Sequence, residues 1–129
     1  IAESMNQRRE VIEFAKNHPN IQREKINAPI IVLGMPRTGT SFMLHLLAQD
    51  KTTFRALRFW ELAFPSPPPN PDDTKNMAIF KSEVNLYLYK MLGPSYASMY
   101  HLTPMSFQEC VVIFAQSFLS AQFNTIAHL

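Results

Sequence analysis

The chain has 129 residues, 47% of them hydrophobic, and 12 Lys+Arg against 10 Asp+Glu give a net charge of +2. That is core material for one domain and too little for two of ordinary size, with too weak a charge for a nucleic-acid-binding or polybasic membrane protein. A single cysteine, Cys110, excludes a disulfide framework and a multi-cysteine metal site; no apolar run approaches the ~20 residues of a membrane span. No basic-plus-apolar leader is present, but the chain begins at Ile1 and not Met, so its native start and any leader are expected to be missing; the location expected is cytoplasmic.

Residues 4–17 read as a polar amphipathic helix with Met5, Ile12 and Ala15 near one face. Pro19 ends it, because the residue before a proline resists the α region, and residues 20–27 form a polar linker. Residues 29–33, Pro-Ile-Ile-Val-Leu, are a continuous apolar run rich in β-branched side chains, which suits a strand buried on both faces of a parallel sheet. Gly34-Met35-Pro36-Arg37-Thr38-Gly39-Thr40-Ser41 comes next, and residues 41–49 then predict a helix with no breaker inside it. Strand, glycine-bounded loop, helix is the order found at phosphate sites in α/β folds.

Residues 53–59 alternate well enough for a second strand, with Trp60, Glu61 and Leu62 at its end. The proline-rich stretch 65–71 predicts an extended surface loop. Asn70 as N-cap, Pro71 at the first helical position and Asp72 and Asp73 in the first turn predict a helix running to Leu92. That helix would bury Met77, Phe80, Val84, Tyr87 or Leu88, and Met91, and Gly93-Pro94 would stop it. Residues 95–105 are irregular. Ser106 and Glu109 have the spacing of a capping box, and the helix behind them, Val111 to Phe123, is apolar on nearly every side, as in the interior of a larger protein.

The chain holds 3 glycines against 10 prolines, where ordinary usage is about 7% glycine. Two of the three, Gly34 and Gly39, bound one loop. The loop has the G-x-x-x-x-G spacing of a nucleotide-hydrolase loop, with Thr40 where that loop requires lysine. The cation lies inside instead, as Arg37. An anion cradle survives the change: successive N–H groups and a helix N-terminus converge on one oxyanion, glycine lets the backbone approach, and a cation completes the shell. The hydroxyls of Thr38, Thr40 and Ser41 add donors. The missing lysine argues against ordinary ATP or GTP hydrolysis, as does the lack of an aspartate in the second strand to hold a metal.

Residues 29–50 closely resemble the 5′-phosphosulfate loop of sulfotransferases, which use 3′-phosphoadenosine 5′-phosphosulfate (PAPS) as sulfuryl donor. The family loop reads Pro-(Lys/Arg)-(Ser/Thr)-Gly-Thr-(Ser/Thr) after an apolar strand, and Pro36 to Ser41 fits every position. The resemblance continues through residues 55–62, the proline-rich stretch, and a segment matched more loosely by His101, Pro104, Glu109 and Cys110. It implies that Arg37, Thr38, Gly39, Thr40 and Ser41 bind the donor, that Arg37 also holds the transferring sulfonate oxygens, and that no metal is needed. It further implies a small-molecule, glycan or lipid acceptor bearing a hydroxyl or an amine, and no nucleic-acid partner.

An acceptor hydroxyl must lose its proton as sulfur is attacked, so a base should stand near the loop. Glu61 is the first candidate, because loops after neighbouring parallel strands open at the same edge of a sheet and several sulfotransferase branches carry a catalytic glutamate at about this distance past the loop. His101 is the second. Glu109 is accounted for by the capping box, Cys110 by the core, and His45 by packing. Trp60 suits either the core or an apolar acceptor site. Arg55 and Arg58 could reach the donor or lie solvated at a strand edge. An ATP-dependent phosphotransferase and a non-catalytic anion-binding module are the alternatives.

Two predicted strands cannot make a stable doubly covered sheet. The expected architecture is therefore an α/β fold, a P-loop-type parallel sheet flanked by helices, present as an incomplete domain. Residues 1–28 would be an N-terminal helix and linker, and residues 29–129 the N-terminal part of a sulfotransferase domain, with the residues for the donor's 3′-phosphate beyond Leu129.

Overall fold

The computed structural model describes residues 2–35, 38–70, 73, 76–92, 102–117 and 119. Among these, regular structure is helical and no strand occurs. Helix α1 spans Ala2–Asn17, with Glu3 in its first turn and Lys16 in its last, each complementing the helix dipole. At its C-terminus the His18 ring stacks on Phe14, and its Nδ1 lies 2.9 Å from the Phe14 carbonyl, an acceptor the helix leaves without a partner. Pro19 then opens a 3-10 turn, Pro19–Arg23, against which α1 packs. Ala28, at φ 46, turns the chain into residues 29–33.

That apolar run does not form the expected strand. It is extended without a ladder partner, and Ile31 and Leu33 are 71% and 87% exposed. A parallel strand exists only through its neighbours' carbonyl and N–H groups, and the described residues offer it none. Helix α2, Thr40–Leu47, follows the loop as the sequence predicts. It closes in a turn at Asp50, whose Oδ1 accepts the Thr52 hydroxyl at 2.6 Å and the Thr52 and Thr53 N–H groups at 3.1 and 3.2 Å. These bonds to the ionised form, the Thr52 hydroxyl foremost and Thr53 next, hold the Asp50 pKa at about 2 against an ordinary 3.8.

The second expected strand, 53–59, reduces to one antiparallel bridge between Arg58 and Phe107. Gln108 N–H donates to the Leu57 carbonyl at 3.1 Å and Phe59 N–H to the Ser106 carbonyl at 2.9 Å. The alternation stops there because Glu61 acts as a capping residue. Its Oε2 accepts the Arg58 N–H at 2.7 Å and starts helix α3, Phe59–Ala63. The short helix places Trp60, Leu62 and Phe64 in the core, Trp60 at 0% exposure. Residues 65–70 are irregular, as predicted, with a cis Ser66–Pro67 bond.

Helix α4 spans Met77–Leu92 and starts later than its sequence suggests. Asn76, not Asn70, supplies the capping oxygen, its Oδ1 accepting the Ala78 N–H at 2.9 Å. The buried face also differs. Ser82 and Leu86 turn inward, while Met77, Phe80, Val84, Tyr87, Leu88 and Met91 are exposed. A helix apolar on most sides carries no periodicity strong enough to choose its face; packing of α4 on α3 chooses it. Lys81 Nζ sits 5.7 Å from the centre of the Phe64 ring, a cation over the aromatic face.

Helix α5, Val111–Ala115, also packs on α3. Gln116 anchors it, its buried Nε2 donating to the Leu62 carbonyl at 3.0 Å. Cys110 stands at its N-cap position and Ser106 does not. The Ser106 hydroxyl instead accepts the Thr103 N–H at 3.1 Å and closes a turn. No described helix is long and apolar enough to cross a membrane.

Candidate anion loop and its surroundings

The loop between residues 33 and 41 is curled on itself. Thr38 N–H and the Thr38 hydroxyl both donate to the Met35 carbonyl, at 3.3 and 2.6 Å. The curl brings Thr38 and Thr40 over Gly34: a Cβ built there would lie 2.6 Å from both Thr38 Oγ1 and Thr40 Cγ2. Gly34 is thus required for close approach. Gly39 is required for another reason, its left-handed backbone (φ 91, ψ 15), from which it serves as N-cap of α2. Gly34→Ala should push the two threonines outward, break the Thr38–Met35 bond, and cost about 1–3 kcal/mol by overpacking. Denaturant unfolding checks the loss, and an unchanged midpoint would contradict the tight curl.

The first N–H groups of α2, on Gly39, Thr40, Ser41 and Phe42, have no intrahelical acceptor, and no side chain among the described residues caps them. Nothing lies within 4 Å of a Cβ built at Gly39. Among the described residues, the helix N-terminus therefore opens onto free space with its donors unspent, a cradle that an oxyanion can enter. Thr40 and Ser41 sit at its first two helical positions. Thr38 contributes differently than expected: both its donors are committed to the Met35 carbonyl, so it shapes the loop. Pro36, Arg37 and His101 lie outside the described residues.

Glu61 is not poised as a free carboxylate. Its side chain is 2% exposed; Oε1 accepts from Arg55 Nη2 at 2.8 Å and Oε2 from the Arg58 N–H at 2.7 Å. A base must offer a lone pair to the acceptor, and here one oxygen is paired with Arg55 and the other serves the start of α3. Arg55 is accordingly an ion-pair partner, and Arg58 Nη1 lies 3.6 Å from Met105 Sδ. Trp60 belongs to the core. Cys110, expected in the core, is an exposed free thiol.

One carboxylate does face the loop. Ser41 Oγ donates to Glu109 Oε1 at 3.1 Å. The capping-box spacing had given Glu109 a local partner; its actual partner is 68 residues away. One turn along α2 from Ser41, His45 packs edge-on against Phe107, ring centres 5.5 Å apart. The segment that bridges to Arg58 therefore also touches α2, at Ser41 and His45.

No curated protein and no solved structure gave a match to the chain. A family model described as the sulfotransferase family matches residues 29–129. The match spans most of the chain and contains the curled loop, its uncapped helix, Glu61 and Glu109, and by it the chain belongs to the sulfotransferase family.

Proposed function

We propose that the protein transfers a sulfuryl group from PAPS to a hydroxyl or amine acceptor, a small molecule, glycan or lipid, with the loop 34–41 as the donor site. The observation that carries this is the N-terminus of α2 behind left-handed Gly39, whose first N–H groups have no acceptor among the described residues. Gly39, Thr40 and Ser41 would hold the 5′-phosphosulfate through backbone N–H groups, with the Thr40 hydroxyl as a further donor, the Ser41 hydroxyl being engaged by Glu109. Arg37 would add the cation that neutralises the phosphate and the sulfonate oxygens. Sulfuryl transfer spreads charge over oxygens that must be held in line, so fixed donors and positioning supply most of the catalysis. Such a donor set needs no metal. Glu61 and His101 enter as candidate bases, Glu61 on condition that it first releases Arg55.

We further propose that residues 29–33 are a strand of a P-loop-type parallel sheet, preceded by an N-terminal helix and linker over residues 1–28. Exposed Ile30, Ile31 and Leu33 support this, because a run of large aliphatic side chains in water is favourably removed from it by sheet neighbours. Calorimetric titration with adenosine 3′,5′-bisphosphate, the desulfated donor, tests the donor site. Binding should persist in EDTA. A requirement for magnesium, with ATP preferred, would favour a phosphotransferase instead.

A further inference from the structure

We propose that Glu109 is the general base, the carboxylate that takes the proton of the acceptor while the loop holds the donor. Its role presupposes sulfuryl transfer from PAPS at the loop.

Three placements carry it. First, Glu109 reaches the loop directly, Oε1 accepting from Ser41 Oγ at 3.1 Å, while its Oε2 has no partner among the described residues. Glu61 has both oxygens engaged and is buried. Second, Glu109 is held there by backbone and ring contacts on two sides. Arg58 bridges Phe107, Gln108 N–H donates to Leu57, and Phe107 packs on His45, one helical turn from Ser41. Third, the segment does not need Glu109 as an anchor, because buried Gln116 already ties α5 to the Leu62 carbonyl. Its bond to Ser41 is exposed, where water competes with it, so the carboxylate stands beside the cradle open to solvent.

The step balances as follows. A lone pair of the acceptor oxygen forms the new O–S bond. The bond from sulfur to the bridging oxygen of the 5′-phosphosulfate breaks, and its electron pair stays on that oxygen, leaving adenosine 3′,5′-bisphosphate. The acceptor proton passes to Glu109 Oε2 and from there to water.

Single-turnover release of adenosine 3′,5′-bisphosphate from PAPS, with water as acceptor, tests this in the purified protein. Glu109→Gln keeps the acceptor atom for Ser41 and removes the basicity, so a purely structural contact would survive it. We expect a rate loss of about 100-fold or more, with affinity for adenosine 3′,5′-bisphosphate within about threefold of wild type, and partial recovery in Glu109→Asp. A Glu109→Gln rate within about threefold of wild type would overturn the proposal. So would a retained rate with tighter binding of the bisphosphate, which would make Glu109 a competitor of the donor. Failure of the wild-type protein to bind the bisphosphate at all defeats the donor site itself and is read in the same titration.

Discussion

Arg37→Ala is expected to weaken binding of adenosine 3′,5′-bisphosphate by at least about 100-fold, roughly 2.7 kcal/mol. The backbone N–H groups of α2 give direction but only partial charge. The loop's one full positive charge is Arg37, because Thr40 stands where the nucleotide-hydrolase loop carries lysine. Arg37→Lys should recover part of the loss, since lysine restores the charge without the two-pronged geometry that matches phosphate and sulfonate oxygens. Calorimetry on the three proteins measures this directly. An Arg37→Ala protein that binds as tightly as wild type would remove the loop from the donor site.

The second large effect concerns the frame around the loop. Trp60→Ala should destabilise the protein by about 3–5 kcal/mol. Its ring is wholly buried where α3 meets its neighbours, and the Trp60 backbone N–H donates to the Pro104 carbonyl at 3.2 Å. Against a typical stability of about 5–15 kcal/mol, that loss brings the chain close to unfolding. Trp60→Phe should cost much less. It keeps most of the aromatic volume, and the indole Nε1 that it removes has no hydrogen-bond partner among the described residues. Urea unfolding followed by helical circular dichroism separates the two variants, and equal losses would show that the ring volume is not what matters at this position. Because residues 57–60 also carry the backbone bonds to residues 104–108, a loosened Trp60 should release Glu109 from Ser41 as well.

What could be read from the sequence was local. Two glycines five residues apart, with hydroxyl residues between and after them, announce a curled loop and a helix start, and both are present at Gly34, Gly39 and Thr40. Pro19 ended α1 where the restriction on the preceding residue says it must. What escaped depended on distant partners. Glu109 fits a capping box by spacing, yet its partner is Ser41, and no local pattern encodes that pairing. Glu61 looked like a chemical carboxylate because it follows an apparent strand; a backbone N–H three residues earlier and Arg55 engage it instead. Helix α4 is apolar around most of its circumference, so its inward face was chosen by α3 and not by its own periodicity. Residues 29–33 have the composition of a buried strand and none of the pairing, because composition states what a segment can join and not what stands beside it.

The central claim is that the N-terminus of α2 is the donor-binding cradle. Backbone amide shifts during titration with adenosine 3′,5′-bisphosphate in EDTA test it most directly. The account predicts saturable shifts centred on Gly39, Thr40, Ser41 and Phe42, with α1 unmoved. Saturable binding that leaves those four amides unshifted would contradict it.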